Sequence, residues 1–390
     1  MTLWRRWTRG FRPLPVPALG ITAALAATLA VAGCTSAGSG PATTAGARST
    51  GSPAVTVAVA RRVFGRYLTA EIAATTLTSA SPLLSLETGV ARAALSATLS
   101  SHGVTTSDAS PGAYSSSLSV EPGITQYTYG SPTFYLPEAA GYPRFFVVSV
   151  TEQPRGQVVG NSAITGAGGA GGSGEAVGRA LMVFSQADKS APWLLSSISG
   201  LPTGVTVPAL ATDRSGYIPT VTPTASALLV QPDDAGPLQA AVVDDGPTSA
   251  AAKAVAAGPL TTGLYDDAVD HVNGLTPPDG DVYQWELEGA SYPEFALRTK
   301  DGGALVFYPM TLTTTVAVPD EINKADPIHP GPKIPVPIDL QMLLPQGQPA
   351  PQEQLQSQQA LSFAAVDPPQ GATKIQVIAI GGGLTSASAS

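Results

Sequence analysis

The chain has 390 residues, of which 43% are hydrophobic and 12% charged, and its formal net charge is −8. This length allows two domains with a sizeable core. The acidic balance argues against a nucleic-acid partner, because phosphate binding needs surfaces rich in Lys and Arg. A single cysteine excludes a disulfide framework and a cysteine-rich zinc site.

Residues 1–33 have the pattern of an export signal, with four arginines ahead of an apolar run and no acidic residue. The apolar run is short for a membrane-spanning helix, which needs about 20 residues. The tetrapeptide Val31–Cys34, at the end of this segment, resembles the lipobox of bacterial lipoproteins. This resemblance implies cleavage before Cys34 and acylation of its thiol. Residues 34–54 have the composition of a flexible tether. We therefore expect a lipid anchor on the extracytoplasmic face of the cell membrane. The Arg5-Arg6 pair leaves both the general secretory route and twin-arginine export open.

A short aromatic pattern then occurs twice. Gly141–Phe145 and Ser291–Phe295 share Tyr-Pro-x-Phe at an offset of 150 residues. Each motif is followed by a similar apolar run, Ala180–Phe184 in the first case and Ala304–Phe307 in the second. Runs of this kind are typical of β-strands, so both motifs are predicted to lie in antiparallel meanders.

Helical periodicity precedes each set of strands, and in the first set Ser81 and Pro82 are predicted to begin a helix. The sequence therefore predicts an α+β protein made of two tandem repeats, 55–205 and 206–390. Each repeat would pack helices on a curved antiparallel sheet. A Gly-rich insertion is expected at 156–178 and a Pro/Gln-rich insertion at 319–359.

This order of elements resembles the cone-shaped nuclear-transport-factor-2-like and cystatin-like folds. The chain from Val55 to Ile380 also resembles a group of uncharacterised actinobacterial lipoproteins. The shared features are the lipobox, the paired Tyr-Pro-x-Phe strands and the segment Arg298–Phe307. The resemblance implies lipidation of Cys34 and brings no known activity.

No catalytic constellation, metal site or cofactor site is predicted. Asp267 and His271 share one helical face, but the apolar stripe of that helix places them toward solvent. His102 lies at an expected helix end and His329 in the Pro-rich insertion. The acidic pairs lack the oxygen-rich loop that calcium needs, and the Gly-rich stretch lacks the Lys-Ser/Thr of a phosphate loop.

Four aromatic residues are the candidates for a ligand pocket: Trp193, Trp285, Tyr142 and Tyr292. Core packing is the alternative role for them. The leading hypothesis is a non-enzymatic binding or assembly module at the cell envelope, whose partners are the membrane and an envelope protein or small hydrophobic ligand. A carrier of a lipid or other apolar molecule is the second hypothesis. An isomerase or dehydratase on a nuclear-transport-factor-2-like fold is the third.

Overall fold

The computed structural model describes ten stretches of the chain: 53–74, 80–101, 126–138, 141–155, 178–274, 282–318, 334, 336–344, 351 and 353–390. The chain divides into two units, Met1–Ser49 and Thr50–Ser390, and all described residues lie in the second. The predicted signal peptide, Cys34, His102 and His329 lie outside the described residues. No described helix is long and apolar enough to cross a membrane.

Five α-helices are described: α1 (Val57–Ala73), α2 (Gly89–Ser101), α3 (Ala235–Asp245), α4 (Thr262–Gly274) and α5 (Ile338–Gln341). Three 3₁₀ segments accompany them at Ser81–Leu86, Pro232–Asp234 and Ala251–Lys253. Thr56 caps α1 by accepting a hydrogen bond from the Val59 amide at 3.3 Å. Ser81 is predicted to cap a helix that starts at Pro82, but Ala80 is the cap, and a 3₁₀ segment starts at Ser81 and ends before Glu87, ahead of α2.

Eleven strands are described: β1 (Gln126–Tyr135), β2 (Pro137–Glu138), β3 (Arg144–Arg155), β4 (Gly178–Gln186), β5 (Leu194–Leu201), β6 (Ile218–Pro219), β7 (Val282–Gly289), β8 (Phe295–Arg298), β9 (Ala304–Ala317), β10 (Gln354–Asp367) and β11 (Gln376–Ala389). Nine of them form one antiparallel sheet in the order β1-β3-β4-β5-β11-β10-β9-β7, with β8 paired to β9 beside β7. The prediction of an α+β protein with a large antiparallel sheet is confirmed.

Strand β3 shows how the first half of the sheet is buried on both faces. Phe146 and Val148 point to α1 and α2, whereas Phe145 and Val147 belong to a different core on the opposite face. This alternation follows from the two-residue period of a strand, and here both faces carry apolar side chains.

Strand β9 repeats this arrangement in the second half. Val306 and Tyr308 pack in a core with α3, whereas Leu305 and Phe307 join the same central core as Phe145. The two halves of the sheet therefore pack against each other face to face, and helices cover each outer face. Phe145 and Phe295 stack in that centre with ring centroids 4.5 Å apart.

The two Tyr-Pro motifs do not occupy equivalent strands, which corrects their predicted correspondence. Tyr142 and Pro143 precede β3, the second strand from its edge, whereas Tyr292 and Pro293 lie between β7 and β8 at the other edge. Both motifs place a phenylalanine, Phe145 or Phe295, in the same central core.

The Gln-rich run predicted to end an insertion is instead the first part of β10. Buried residues alternate with half-buried ones from Gln354 to Gln359, so these glutamines follow the two-residue period of a strand. The run pairs with β9 on one side and β11 on the other, which satisfies its backbone on both edges.

Candidate functional site

A cavity of about 250 Å³ lies between α2 and the first half of the sheet. This space is large enough for a small organic ligand rather than a single water. Its walls come from α2, from Glu87 two residues before that helix, from β1, β3 and β5, and from β11. The lining residues are Glu87, Val90, Ala91, Ala94, Tyr127, Tyr129, Glu152, Ile198, Gly200, Ile380, Gly381 and Gly382.

Glu87 is the most unusual side chain in this cavity, because it is acidic and only 5% exposed. The backbone around it is fixed where the 3₁₀ segment ends: Glu87 bridges to Leu195 of β5, and the Thr88 amide donates to the Leu195 carbonyl at 2.8 Å. Tyr67 of α1 donates its hydroxyl to Glu87 Oε1 at 3.2 Å. Glu87 Oε2 is buried and has no hydrogen-bond partner among the described residues.

The environment of Glu87 favours the neutral carboxyl group. Burial raises its pKa from 4.5 to about 7, although the hydrogen bond from Tyr67 and the charge of Arg92 act in the opposite direction. The Arg92 guanidinium lies on the exposed side of α2 and donates to the Leu84 carbonyl. Near neutral pH both protonation states of Glu87 are therefore populated, and a ligand can select either.

Tyrosines and a second carboxyl group complete the polar part of the wall. Tyr127 and Tyr129 project from the same face of β1, with ring centroids 6.1 Å apart. Burial raises the pKa of Glu152 and of both tyrosines, and nearby carboxylates add to the effect on the tyrosines. Glu71 stands behind them and accepts a hydrogen bond from the Tyr127 amide at 3.3 Å. The wall is therefore acidic and aromatic.

Glycines form the floor of the cavity where β5 and β11 meet. The two strands pair there at Ile380 and Gly200. A Cβ at Gly381 would collide with the carbonyl oxygen of Ile198, and Gly382 has a φ of +125°, which L side chains rarely adopt. Because the floor is backbone, no side chain from these positions fills the space above it.

In the second half of the sheet, the space between helix and sheet is filled around a buried polar pair, Tyr308 and Gln239. Tyr308 donates to Gln239 Oε1 at 2.8 Å, and Gln239 Nε2 donates to the Leu260 carbonyl at 2.7 Å. Gly236 sits so close to Met310 that an added Cβ would lie 2.7 Å from the sulfur. Here a neutral amide has both ends satisfied, whereas Glu87 in the first half has a free oxygen beside a cavity.

The four predicted pocket aromatics are not brought together. Trp193 packs in the first helix–sheet core, 5.2 Å from the Phe146 ring. Trp285 packs against the second core, and its indole nitrogen is buried without a partner among the described residues. Tyr142 is exposed beneath the Arg144 guanidinium, which lies 4.7 Å from its ring centroid.

Tyr292 lines a second cavity of about 150 Å³ near the edge between the two halves of the sheet. Its neighbours there include Pro143, Pro293 and Phe363. This cavity is smaller, and none of its lining residues is acidic or basic. It offers shape but no charge for recognising a ligand.

The acidic cavity was missed in the sequence. Its one available signal is Glu87 itself, a single acid in the apolar segment between Ile72 and Leu99. The predicted histidine candidate, His271, lies on α4, and its side chain is outside the described set. Among the described residues, no group of three His, Cys, Asp or Glu side chains is arranged to hold a metal ion.

Comparison with known families gives one match. The family described as a domain of unknown function, DUF8094, matches residues 51–389. The chain therefore belongs to this family, and the match covers both halves of the sheet and the acidic cavity. No curated protein and no solved structure matches the chain significantly.

Proposed function

We propose that the protein is a lipid-anchored, extracytoplasmic binding protein that holds a small polar ligand in the cavity beside Glu87. The observation that carries this proposal is Glu87, a buried acid that lines the cavity and whose Oε2 has no hydrogen-bond partner among the described residues. An unsatisfied buried oxygen costs roughly 1–3 kcal/mol, and a donor from a ligand or a bound water would offset this cost.

The anchor is the part of the proposal that rests on the sequence. Cys34 ends a lipobox-like tetrapeptide at the close of an export-signal pattern, and the following residues have the composition of a tether up to the region of the family match, which starts at residue 51. Acyl chains on Cys34 would hold the protein at the membrane surface, since each buried CH₂ contributes about 0.8 kcal/mol.

Fractionation of cells expressing the full-length protein tests this anchor. We expect the wild-type protein to be found in the membrane fraction and to incorporate labelled palmitate. Cys34→Ser is expected to lose the label. A Cys34→Ser protein that keeps both label and membrane association would contradict lipidation at this residue.

We further propose that the two halves are tandem copies with a nuclear-transport-factor-2-like plan. Counting inward from each edge, β1-β3-β4-β5 and β7-β9-β10-β11 each run in chain order, and helices precede both sets. In this arrangement β3 is equivalent to β9. It is not equivalent to β8, although β3 and β8 are the strands that follow the two Tyr-Pro motifs. One copy retained an open cone, and the other filled it with Tyr308 and Gln239.

The Glu87 cavity also bears on the two alternative functions, a carrier and an enzyme. A carrier for a purely apolar ligand is less well supported, because Glu87, Glu152 and two tyrosines line the larger cavity. A general acid–base enzyme is the second candidate, and the raised pKa of Glu87 favours it, since such a group can give and take protons near pH 7. The same cavity serves either function, so ligand identity decides between them.

Native mass spectrometry of the full-length protein, purified from membranes without added ligand, tests the binding proposal. A small molecule is expected to co-purify with wild type. Ala94→Phe, which places a ring in the cavity, is expected to lose it. The matched control is Ala58→Phe on the exposed face of α1. A molecule retained equally by both variants, or none in wild type, would count against this site.

A further inference from the structure

We infer that the ligand of the Glu87 cavity carries a compact organic cation, an ammonium or quaternary ammonium group. This inference rests on the proposed binding function and adds the chemical class of the ligand. It follows from the charges that face the cavity, from the aromatic surfaces beside them and from the free oxygen of Glu87.

The ionisable side chains that line the cavity can supply negative charge but no positive charge. Two carboxyl groups, Glu87 and Glu152, line it, and no Lys, Arg or His does so among the described residues. The nearest basic group acting on Glu87 is Arg92, and its guanidinium is directed to the Leu84 carbonyl on the exposed side of the helix. An anionic ligand would meet no basic side chain in this lining and would repel both carboxyl groups when they are ionised, whereas a cation would pair with them and favour their ionised form.

The hydrogen bonding of Glu87 favours a cationic ligand over a neutral one. A carboxylate that is removed from water is strongly disfavoured unless it is paired. Glu87 Oε1 already accepts from Tyr67, whereas Oε2 accepts nothing among the described residues. A ligand ammonium in the cavity would pair with the ionised form of Glu87, and donation to Oε2 requires this side chain to turn, because Oε2 itself is buried.

The tyrosines favour an organic cation over a metal ion. Tyr127 and Tyr129 present rings on the same wall as Glu152. Aromatic faces attract ammonium groups and are the usual walls of quaternary ammonium sites. A divalent metal would instead require several converging oxygen ligands, and no group of three acidic, His or Cys side chains in the described parts of the chain can hold one.

The cavity size limits the ligand further. A space of about 250 Å³ is below the usual range of drug-sized pockets, roughly 300–1,000 Å³. A small amine fits this space, whereas a phospholipid with two acyl chains does not. The inferred ligand class is therefore a small amine or quaternary ammonium metabolite.

Isothermal titration of the full-length protein in detergent tests the inference with two matched probes. Choline chloride carries the quaternary ammonium group, and 3,3-dimethylbutan-1-ol is its neutral isostere. Choline is expected to bind with an affinity at least about tenfold higher than that of the isostere, as expected from ion pairing and cation–π contact in a desolvated site. Glu87→Gln keeps the acceptor for Tyr67 and removes the charge, so it is expected to weaken choline binding about tenfold as well.

Controls separate loss of the site from loss of the fold. Glu288→Gln removes a carboxylate from the exposed side of β7 and is expected to leave choline binding unchanged. If the melting temperature of Glu87→Gln falls sharply, Glu152→Gln provides the second test, since it also lines the cavity and is expected to weaken choline binding.

Three results would overturn the inference. The first is equal binding of choline and its isostere, which would leave a binding protein without charge recognition. The second is unchanged choline binding in both glutamine variants, which would place the cation elsewhere. The third is no binding of either probe. If a molecule still co-purifies with wild type and is lost in Ala94→Phe, the proposed binding function stands and only the inference of a cationic ligand is overturned.

Discussion

Replacing Glu87 with glutamine is expected to change the pH dependence of folding in a defined direction. The folded-state pKa of Glu87 lies near 7, above its ordinary value of 4.5, because the side chain is buried. Between these pH values the folded protein holds a proton that the unfolded chain has released. The free energy of unfolding of wild type therefore falls as the pH rises through this window.

The size of the effect follows from the same two values. A rise in pKa from 4.5 to about 7 corresponds to a contribution of about 3 kcal/mol, which is present below pH 4.5 and lost above about pH 7. Glutamine cannot ionise and still offers a carbonyl oxygen to Tyr67. Relative to wild type, Glu87→Gln is thus expected to gain up to about 3 kcal/mol of stability between pH 4.5 and pH 8.

Urea unfolding followed by circular dichroism at pH 4.5, 6 and 8 measures this difference. Burial raises the pKa of Asp367 to about 7, and partial desolvation raises the pKa of Asp244 to about 6, so the variant keeps part of the wild-type slope. Only the difference between variant and wild type isolates Glu87. A difference that stays constant from pH 4.5 to pH 8 would refute the reasoning, since it would mean that Glu87 is ionised at no cost.

Three further substitutions test the fold. Gly382→Ala is expected to destabilise the protein by several times the roughly 1 kcal/mol of an ordinary Gly-to-Ala change. The reason is that Gly382 has a φ of +125° and that a Cβ there would collide with the neighbouring strand. The control is Gly289→Ala, which has open space around the added Cβ and should change the melting temperature little. Tyr308→Phe leaves Gln239 Oε1 buried without its donor and should cost about 1–3 kcal/mol in urea unfolding, and no loss would contradict this hydrogen bond. Phe295→Ala removes a stacked ring from the central core and should cost about 3–5 kcal/mol, whereas a cost below 1 kcal/mol would refute face-to-face packing of the two halves.

The class of fold is predictable from local patterns. The helical spacing of apolar residues predicts α1, and the apolar run Ala180–Phe184 predicts a buried strand. The structure has both elements at these positions. The Gln-rich part of β10 was missed because Leu355 is the one apolar residue among its buried positions, which also include Ser357 and Gln359, so its two-residue period carries little hydrophobic contrast.

The packing of the two halves depends on contacts between distant segments. Phe145 and Phe295 look like members of a repeated motif in sequence, and in the structure they stack on each other. Strands buried on both faces carry apolar residues without clear alternation, so the sequence does not indicate that the sheet packs against itself.

The cavity is harder still to predict, since Glu87 becomes unusual only through its neighbours. Tyr67 lies 20 residues before it and β11 almost 300 residues after it, and both are needed to bury the carboxyl group and shape the space. The predicted aromatics Trp193 and Trp285 fill cores instead. Aromatic content alone does not distinguish a pocket wall from a core residue.

The most direct test of a ligand site beside Glu87 is a crystal structure of the full-length protein grown with choline. The account predicts density for the cation in the cavity between Glu87 and Glu152, with the ammonium group within roughly 4 Å of the Glu87 carboxylate. Density only in the cavity beside Tyr292, or an empty Glu87 cavity at a choline concentration that saturates binding in solution, would contradict it.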